Sequence, residues 1–227
     1  MDFTSKRRIL HFFFPTRCPV CGEVIGAMDC FCTECSGRLT PFVGSFRISG
    51  ADGTAAAFVY DRNISPAVIL LKRGICGNAA YALGKALAER LRASGIADKA
   101  DLIVPVPLHR LDRKKRGFNQ SELIAAEVSR ELGLPVNSRL IIKSRRTAEQ
   151  KHLDRFRRRL NLDGAFTAAA PQNIAGRRII LIDDVSTTGT TLERVTALLK
   201  VCSAEAVYCA ACCKTAPPSA KIGREND

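Results

Sequence analysis

Two adjacent carboxylates, Asp183 and Asp184, run directly into Val185-Ser186-Thr187-Thr188-Gly189-Thr190-Thr191. A glycine among hydroxyls lets a phosphate approach the backbone closely, and a helix opening there would add free N–H groups and a positive dipole end. The carboxylates would repel that phosphate, so they suit sugar hydroxyls or a chelated cation at the other end of the ligand. A phosphate at one end, with a diol and Mg²⁺ at the other, describes a ribose 5-phosphate. The alternative is a capped turn whose acidic pair holds Mg²⁺ for some other purpose. Neither G-x-x-x-x-G-K-[ST] nor G-x-G-x-x-G occurs in the chain.

A second chemistry lies near the start. Cys18 and Cys21, then Cys32 and Cys35, form two Cys-x-x-Cys pairs, the spacing of four thiolates around a tetrahedral, closed, structural Zn²⁺. Cys30 fits this pattern less well and reads as a spare thiol. The chain holds 10 cysteines, but the opening lacks the cleavage pattern of a secretory leader, so metal is a more economical reading than disulfides.

The third group is cationic. Arg110, Arg113, Lys114, Lys115 and Arg116 follow one strand candidate, and a second basic run over 143–159 includes Arg146 and Lys151. Cations on a closing loop suit a departing diphosphate. They suit a nucleic-acid groove as well, although Phe156 is the one aromatic in that run and the chain has no Trp. His152 reads as a hydrogen-bonding residue rather than a base. Lys72 and Arg73 either face the ligand or complete a solvated helix end.

These groups need elements to hold them. Ile179 to Ile182 are four branched aliphatics without alternation, the pattern of a strand buried on both faces, so the acidic pair opens a loop at the ligand edge of a parallel sheet. Beyond Gly189, Leu192, Val195, Leu198 and Leu199 recur at helical spacing. Strands are also predicted at 55–60, at 101–107 (stopped by Pro105 and Pro107), at 140–142 and at 206–213. Cys209, Cys212 and Cys213 read as core residues of the last of these. Helices are predicted at 64–73, at 79–91 and from Asn119 or Ser121, with Leu123, Ile124, Ala125, Val128 and Leu132 as the core face. An opening helix is expected to pack through Ile9, Leu10, Phe13 and Phe14. The fold class is α/β: a parallel sheet flanked by helices over 54–216, a small ribbon over 1–45 and a tail from 217.

Length and charge fit this outline. At 227 residues with 46% hydrophobic composition the chain can bury one sizeable core and carry a small module. The net charge of +13 calls for an anionic partner. No apolar run is long enough to cross a bilayer, and a cytoplasmic protein is the expectation.

The stretch from Ile179 to Thr191 resembles the phosphoribosyl diphosphate (PRPP) motif of type I phosphoribosyltransferases. With Leu71-Lys72-Arg73-Gly74, Val104-Pro105-Val106-Pro107-Leu108, Arg116-Gly117-Phe118-Asn119-Gln120, Thr147 with Gln150, and Arg159-Leu160-Asn161 before Gly164-Ala165-Phe166, the whole chain resembles the ComF family. The resemblance implies a type I phosphoribosyltransferase fold behind a zinc ribbon, PRPP with Mg²⁺ as ligand, and a link to DNA uptake in natural transformation. It places PRPP on Asp183 to Thr191, Lys72, Pro105 and Arg116, with Asp183, Asp184, Arg146 and Lys151 catalytic if transfer occurs. Two readings stay open: a transferase for an unnamed acceptor, and a PRPP-regulated binder of single-stranded DNA.

Overall fold

A computed structural model describes residues 1–74, 78–144 and 165–216. The amino-terminal part carries helices α1 (Phe3–Phe13) and α2 (Thr33–Arg38). There follow β1 (Gly53–Val59), α3 (Ser65–Arg73), α4 (Ala79–Ala93), β2 (Leu102–Pro105), α5 (Arg110–Arg116) and α6 (Gln120–Leu132). The chain ends in β3 (Ile141–Lys143), β4 (Phe166–Ala168), β5 (Arg178–Ser186), α7 (Thr190–Val201) and β6 (Ala206–Lys214).

The main sheet has the order β1-β6-β5-β2 and is parallel throughout. Its two central strands explain why β5 shows no alternation. Ile180 and Ile182 enter the core that α3, α4 and α6 cover, while Ile179 and Leu181 enter the core under α7 and the antiparallel pair β3–β4. Both faces are dry, so a branched aliphatic fits at every position. Cys209 belongs to one core, and Cys212 and Cys213 to the other. Burial pushes the Cys209 thiol up to about 12, as expected of inert packing residues. Helices α4 and α6 approach closely because Gly84 has no side chain; a Cβ there would lie 2.5 Å from the Glu127 Cβ.

The opening helix forms, but not on the predicted face. Ile9, Leu10, Phe13 and Phe14 are exposed. The inward contacts come instead from Phe3 and Arg7: the Arg7 guanidinium lies 3.8 Å from the Tyr81 ring centroid, and Arg130 lies 3.8 Å from that of Phe3. Cation–π stacking with the domain thus replaces aliphatic packing, and hydropathy periodicity is blind to it.

Asn78 joins the ribbon to the domain. Its Nδ2 donates to the carbonyls of Arg17, Asp29 and Cys30 at 3.1–3.3 Å, and its Oδ1 accepts from Arg7 Nη2 at 2.8 Å. Because Asn78 is buried, Asn78→Leu strands these partners, and unfolding is expected to cost about 1–3 kcal/mol less than in wild type. A chemical denaturation series checks this; an unchanged midpoint contradicts the role assigned to Asn78.

Candidate functional site

Strand β5 does not stop before the carboxylates. It continues through Ser186 because β6 pairs with it as far as Lys214, with Asp183 opposite Ala211 and Val185 opposite Cys213. The predicted loop therefore begins four residues later, and the acidic pair is held by strand geometry. Asp183 Oδ1 accepts from Ser121 Oγ at 3.2 Å and from the Asp184 N–H at 2.9 Å. Asp184 Oδ1 accepts from the Val185 N–H at 2.7 Å, and its other oxygen lies 3.3 Å from Lys72 Nζ. Burial, and then the charge on Asp184, push the Asp183 carboxyl up to about 7. Such a pair gains most from a ligand that brings cations or hydroxyl donors.

The turn that follows sets a left-handed glycine and several hydroxyls ahead of α7. Gly189 sits at φ +86° and caps α7, and a Cβ there would lie 2.5 Å from Ile48 Cδ1. Thr188 Oγ1 and Thr190 Oγ1 lie 2.9 Å apart. Lys214 Nζ and Thr215 Oγ1 both donate to the Thr187 carbonyl, anchoring the turn to the end of β6. Ser186 is buried, and its Oγ has no partner among the described residues. The Thr187–Thr191 turn surrounds a small hollow of ≈ 30 Å³. A second cleft of ≈ 180 Å³ adjoins it, bounded by Asp183, Asp184, Lys72, Arg116, Lys143 and the start of α6.

The cationic groups divide. Of the run 110–116, which forms the exposed helix α5 rather than a loop, Arg116 lines the cleft, whereas Arg113 pairs with Glu122 at 2.7 Å. Lys72 reaches the cleft from the end of α3. Pro105 is buried within β2 opposite Ile182; Val106, Pro107 and Leu108 line the cleft in its place. Arg146, Lys151, His152 and Phe156 lie outside the described residues.

Lys143, the first cation of the second basic run, lines the cleft as well; sequence reasoning gave Gln120 and Ser121 no place beside the acidic pair and missed Lys214 and Ile48. Asn119 caps α6, its Oδ1 accepting from the Ser121 N–H at 3.2 Å while its Nδ2 donates to the Val106 carbonyl at 3.0 Å. That cap brings Gln120 and Ser121 to the acidic pair. The cap was visible in the sequence; which sheet edge it faced was not.

In the ribbon, the sulfurs of Cys18, Cys21, Cys32 and Cys35 all lie within 4.8 Å of one another. The Cys35 N–H points at Cys32 Sγ at 3.4 Å, the contact that stabilises a thiolate in a knuckle. Burial opposes ionisation of Cys18, but backbone N–H groups at Cys32, Cys21 and Val20 outweigh it and bring the thiol down to about 7. Cys30 stands apart from this cluster, and burial raises its thiol. The four-thiol set fits structural zinc.

A phosphoribosyl transferase domain matches residues 77–225, and a double zinc ribbon domain matches residues 9–46. The DNA utilization protein YhgH of Escherichia coli K12 is 32% identical over 88% of this chain and 85% of its own length. The chain belongs to the ComF family of phosphoribosyltransferase-fold proteins. Other members with similar sequences are competence protein F of Haemophilus influenzae, 36% identical over 47% of each chain, and competence protein ComFC of Bacillus subtilis, 33% identical over 42% of this chain and 37% of that one. This ComF-family chain thus spans about half the length or less of those two competence proteins. Among solved structures, the B. subtilis glutamine PRPP amidotransferase complexed with ADP and GMP aligns with TM-score 0.43 at 22% identity, covering 59% of this chain and 26% of that one. The purine phosphoribosyltransferase of Pyrococcus horikoshii aligns with TM-score 0.38 at 20% identity, covering 65% and 93%.

For the ribbon, Cys18→Ser and Cys32→Ser are each expected to lower bound zinc from about one ion per chain to near zero. Elemental analysis of purified protein reads this directly. Unchanged zinc would refute the ligand set.

Proposed function

We propose that this chain binds PRPP with Mg²⁺ in the cleft at the carboxyl edge of β5 and β2, and that it does so in the service of DNA utilisation. The observation that carries the reading is the continuity of two unlike subsites. A hydroxyl-rich turn with a left-handed glycine adjoins a half-buried carboxylate pair rimmed by Lys72, Arg116 and Lys143. Thr187 to Thr191 receive the 5′-phosphate on the start of α7. Asp183 and Asp184 receive the ribose hydroxyls, and the elevated proton affinity of Asp183 is what such donors relieve.

The same carboxylates fit Mg²⁺, which when bound would neutralise charge on the diphosphate. Lys72, Arg116 and Lys143 supply protein-borne positive charge to the diphosphate end. Transfer is tested by diphosphate release from PRPP and Mg²⁺ with a panel of bases and amines. Release with at least one acceptor supports a transferase, and silence across the panel, with PRPP binding intact, favours a sensor.

The DNA link rests on the relatives' names, competence protein F and DNA utilization protein, and on a net charge of +13. On this reading the chain acts in the cytoplasm beside the DNA-uptake machinery. No helix among the described residues is long and apolar enough to cross a membrane. Single-stranded DNA is expected to bind with an affinity that falls as salt rises. An oligonucleotide titration with no binding at low salt removes this part of the proposal.

A further inference from the structure

Helix α1 carries an apolar surface that the fold beneath it does not use. Ile9, Leu10, Phe12, Phe13 and Phe14 are between 49% and 82% exposed. The three phenylalanines alone present on the order of 500 Å², and Ile9 and Leu10 bring the patch to the upper end of what monomers typically expose. Beside it runs a groove of ≈ 520 Å³ whose lining includes Leu10, Phe14, Pro15, Arg17, Pro19 and Leu70. That volume falls within the range of sites that enclose a ligand. Lys6 and Arg8 are exposed on the same helix.

Charge and shape select the occupant. A second copy of a chain with net charge +13 would bring like charges together around this groove. A bilayer could receive the convex phenylalanines but has no side chain to fill a concavity. A peptide with large apolar residues on one side and carboxylates on the other satisfies both features. We propose that this groove docks an acidic amphipathic segment of a partner protein, with apolar side chains seated between α1, the ribbon and α3, and carboxylates on Lys6, Arg8 and Arg17. The inference goes beyond the PRPP reading and is independent of it, since the groove is on the ribbon side of the molecule and shares none of its lining with the phosphate turn.

The test uses the full chain. An array of acidic peptides of randomised apolar content is titrated against wild type, Leu10→Asp, Phe14→Asp and the double variant Lys6→Glu/Arg8→Glu. The substituted side chains are exposed, so melting temperature and zinc content report an intact fold. The expected result is a set of peptides with two or more large apolar residues that bind wild type, lose about tenfold or more in each apolar variant, and weaken in the charge variant and with salt. If no peptide separates wild type from the folded variants, the proposal fails. It fails equally if these variants abolish adsorption to phosphatidylserine vesicles, or self-association in sedimentation, while no peptide is selected.

Discussion

Gly189→Val is expected to abolish measurable PRPP binding while leaving the zinc ribbon and the sheet intact. Two effects coincide at this position. The backbone is at φ +86°, where a side chain costs about 1–2 kcal/mol and a β-branched one more. The added Cβ also meets Ile48 Cδ1 at 2.5 Å, and Ile48 is itself buried in the core under α7, so it has little room to withdraw. The turn must shift, and its hydroxyls and the first N–H groups of α7 shift with it. A displacement approaching 1 Å in a phosphate cradle costs on the order of a hundredfold or more. Gly189→Ala should be less severe, and Ile48→Ala in that background should recover part of the affinity by removing the contact but not the strained φ. Calorimetric titration with PRPP and Mg²⁺ measures all four proteins. Wild-type affinity in Gly189→Val would show that this turn does not hold the phosphate.

The second large effect is a pH dependence centred on Asp183. Burial, then repulsion from Asp184, raise its carboxyl to about 7, against roughly 3.9 in an unfolded chain. Below about 4 both states hold the proton and no penalty arises. Between about 4 and 7 the unfolded chain has released a proton that the folded protein keeps, so stability falls as pH rises through this window and levels off above it. Ligand affinity runs the opposite way. Ribose hydroxyls and a divalent cation favour the ionised pair, so PRPP affinity should climb by up to about tenfold per pH unit towards 7 and then flatten. Asp183→Asn should remove both slopes. Melting temperatures from pH 4 to 8 and titrations at pH 6, 7 and 8 read them; slopes retained in Asp183→Asn would assign the titration elsewhere.

The core strand and the turn after it were legible because both are local patterns: four aliphatics without alternation, and hydroxyls around a glycine. The four thiols were legible for the same reason. The exact end of β5 was not, because β6 extends it, and pairing between distant strands leaves no mark at either strand's own residues. The places of Ser121 and Gln120 beside the acidic pair were hidden by the same kind of gap, since the packing of α6 against β5 is a property of the folded chain. Apolar periodicity in the opening helix points to a buried face at Ile9, Leu10, Phe13 and Phe14, whereas Phe3 and Arg7 make the inward contacts. Ile48 shows how a residue in an apparent linker can define a site, by occupying the space that a side chain at position 189 would need.

The central claim, that one cleft grips ribose through carboxylates and phosphate through a threonine turn, is tested most directly by one titration. Wild type and Asp183→Asn/Asp184→Asn are titrated with PRPP, each with and without Mg²⁺. The predicted result is a single Mg²⁺-dependent site per chain in wild type and its loss in the double variant, with the melting temperature of the unliganded variant equal to or above that of wild type because a half-buried like-charge pair has been removed. Equal PRPP affinity in the two proteins would contradict the account.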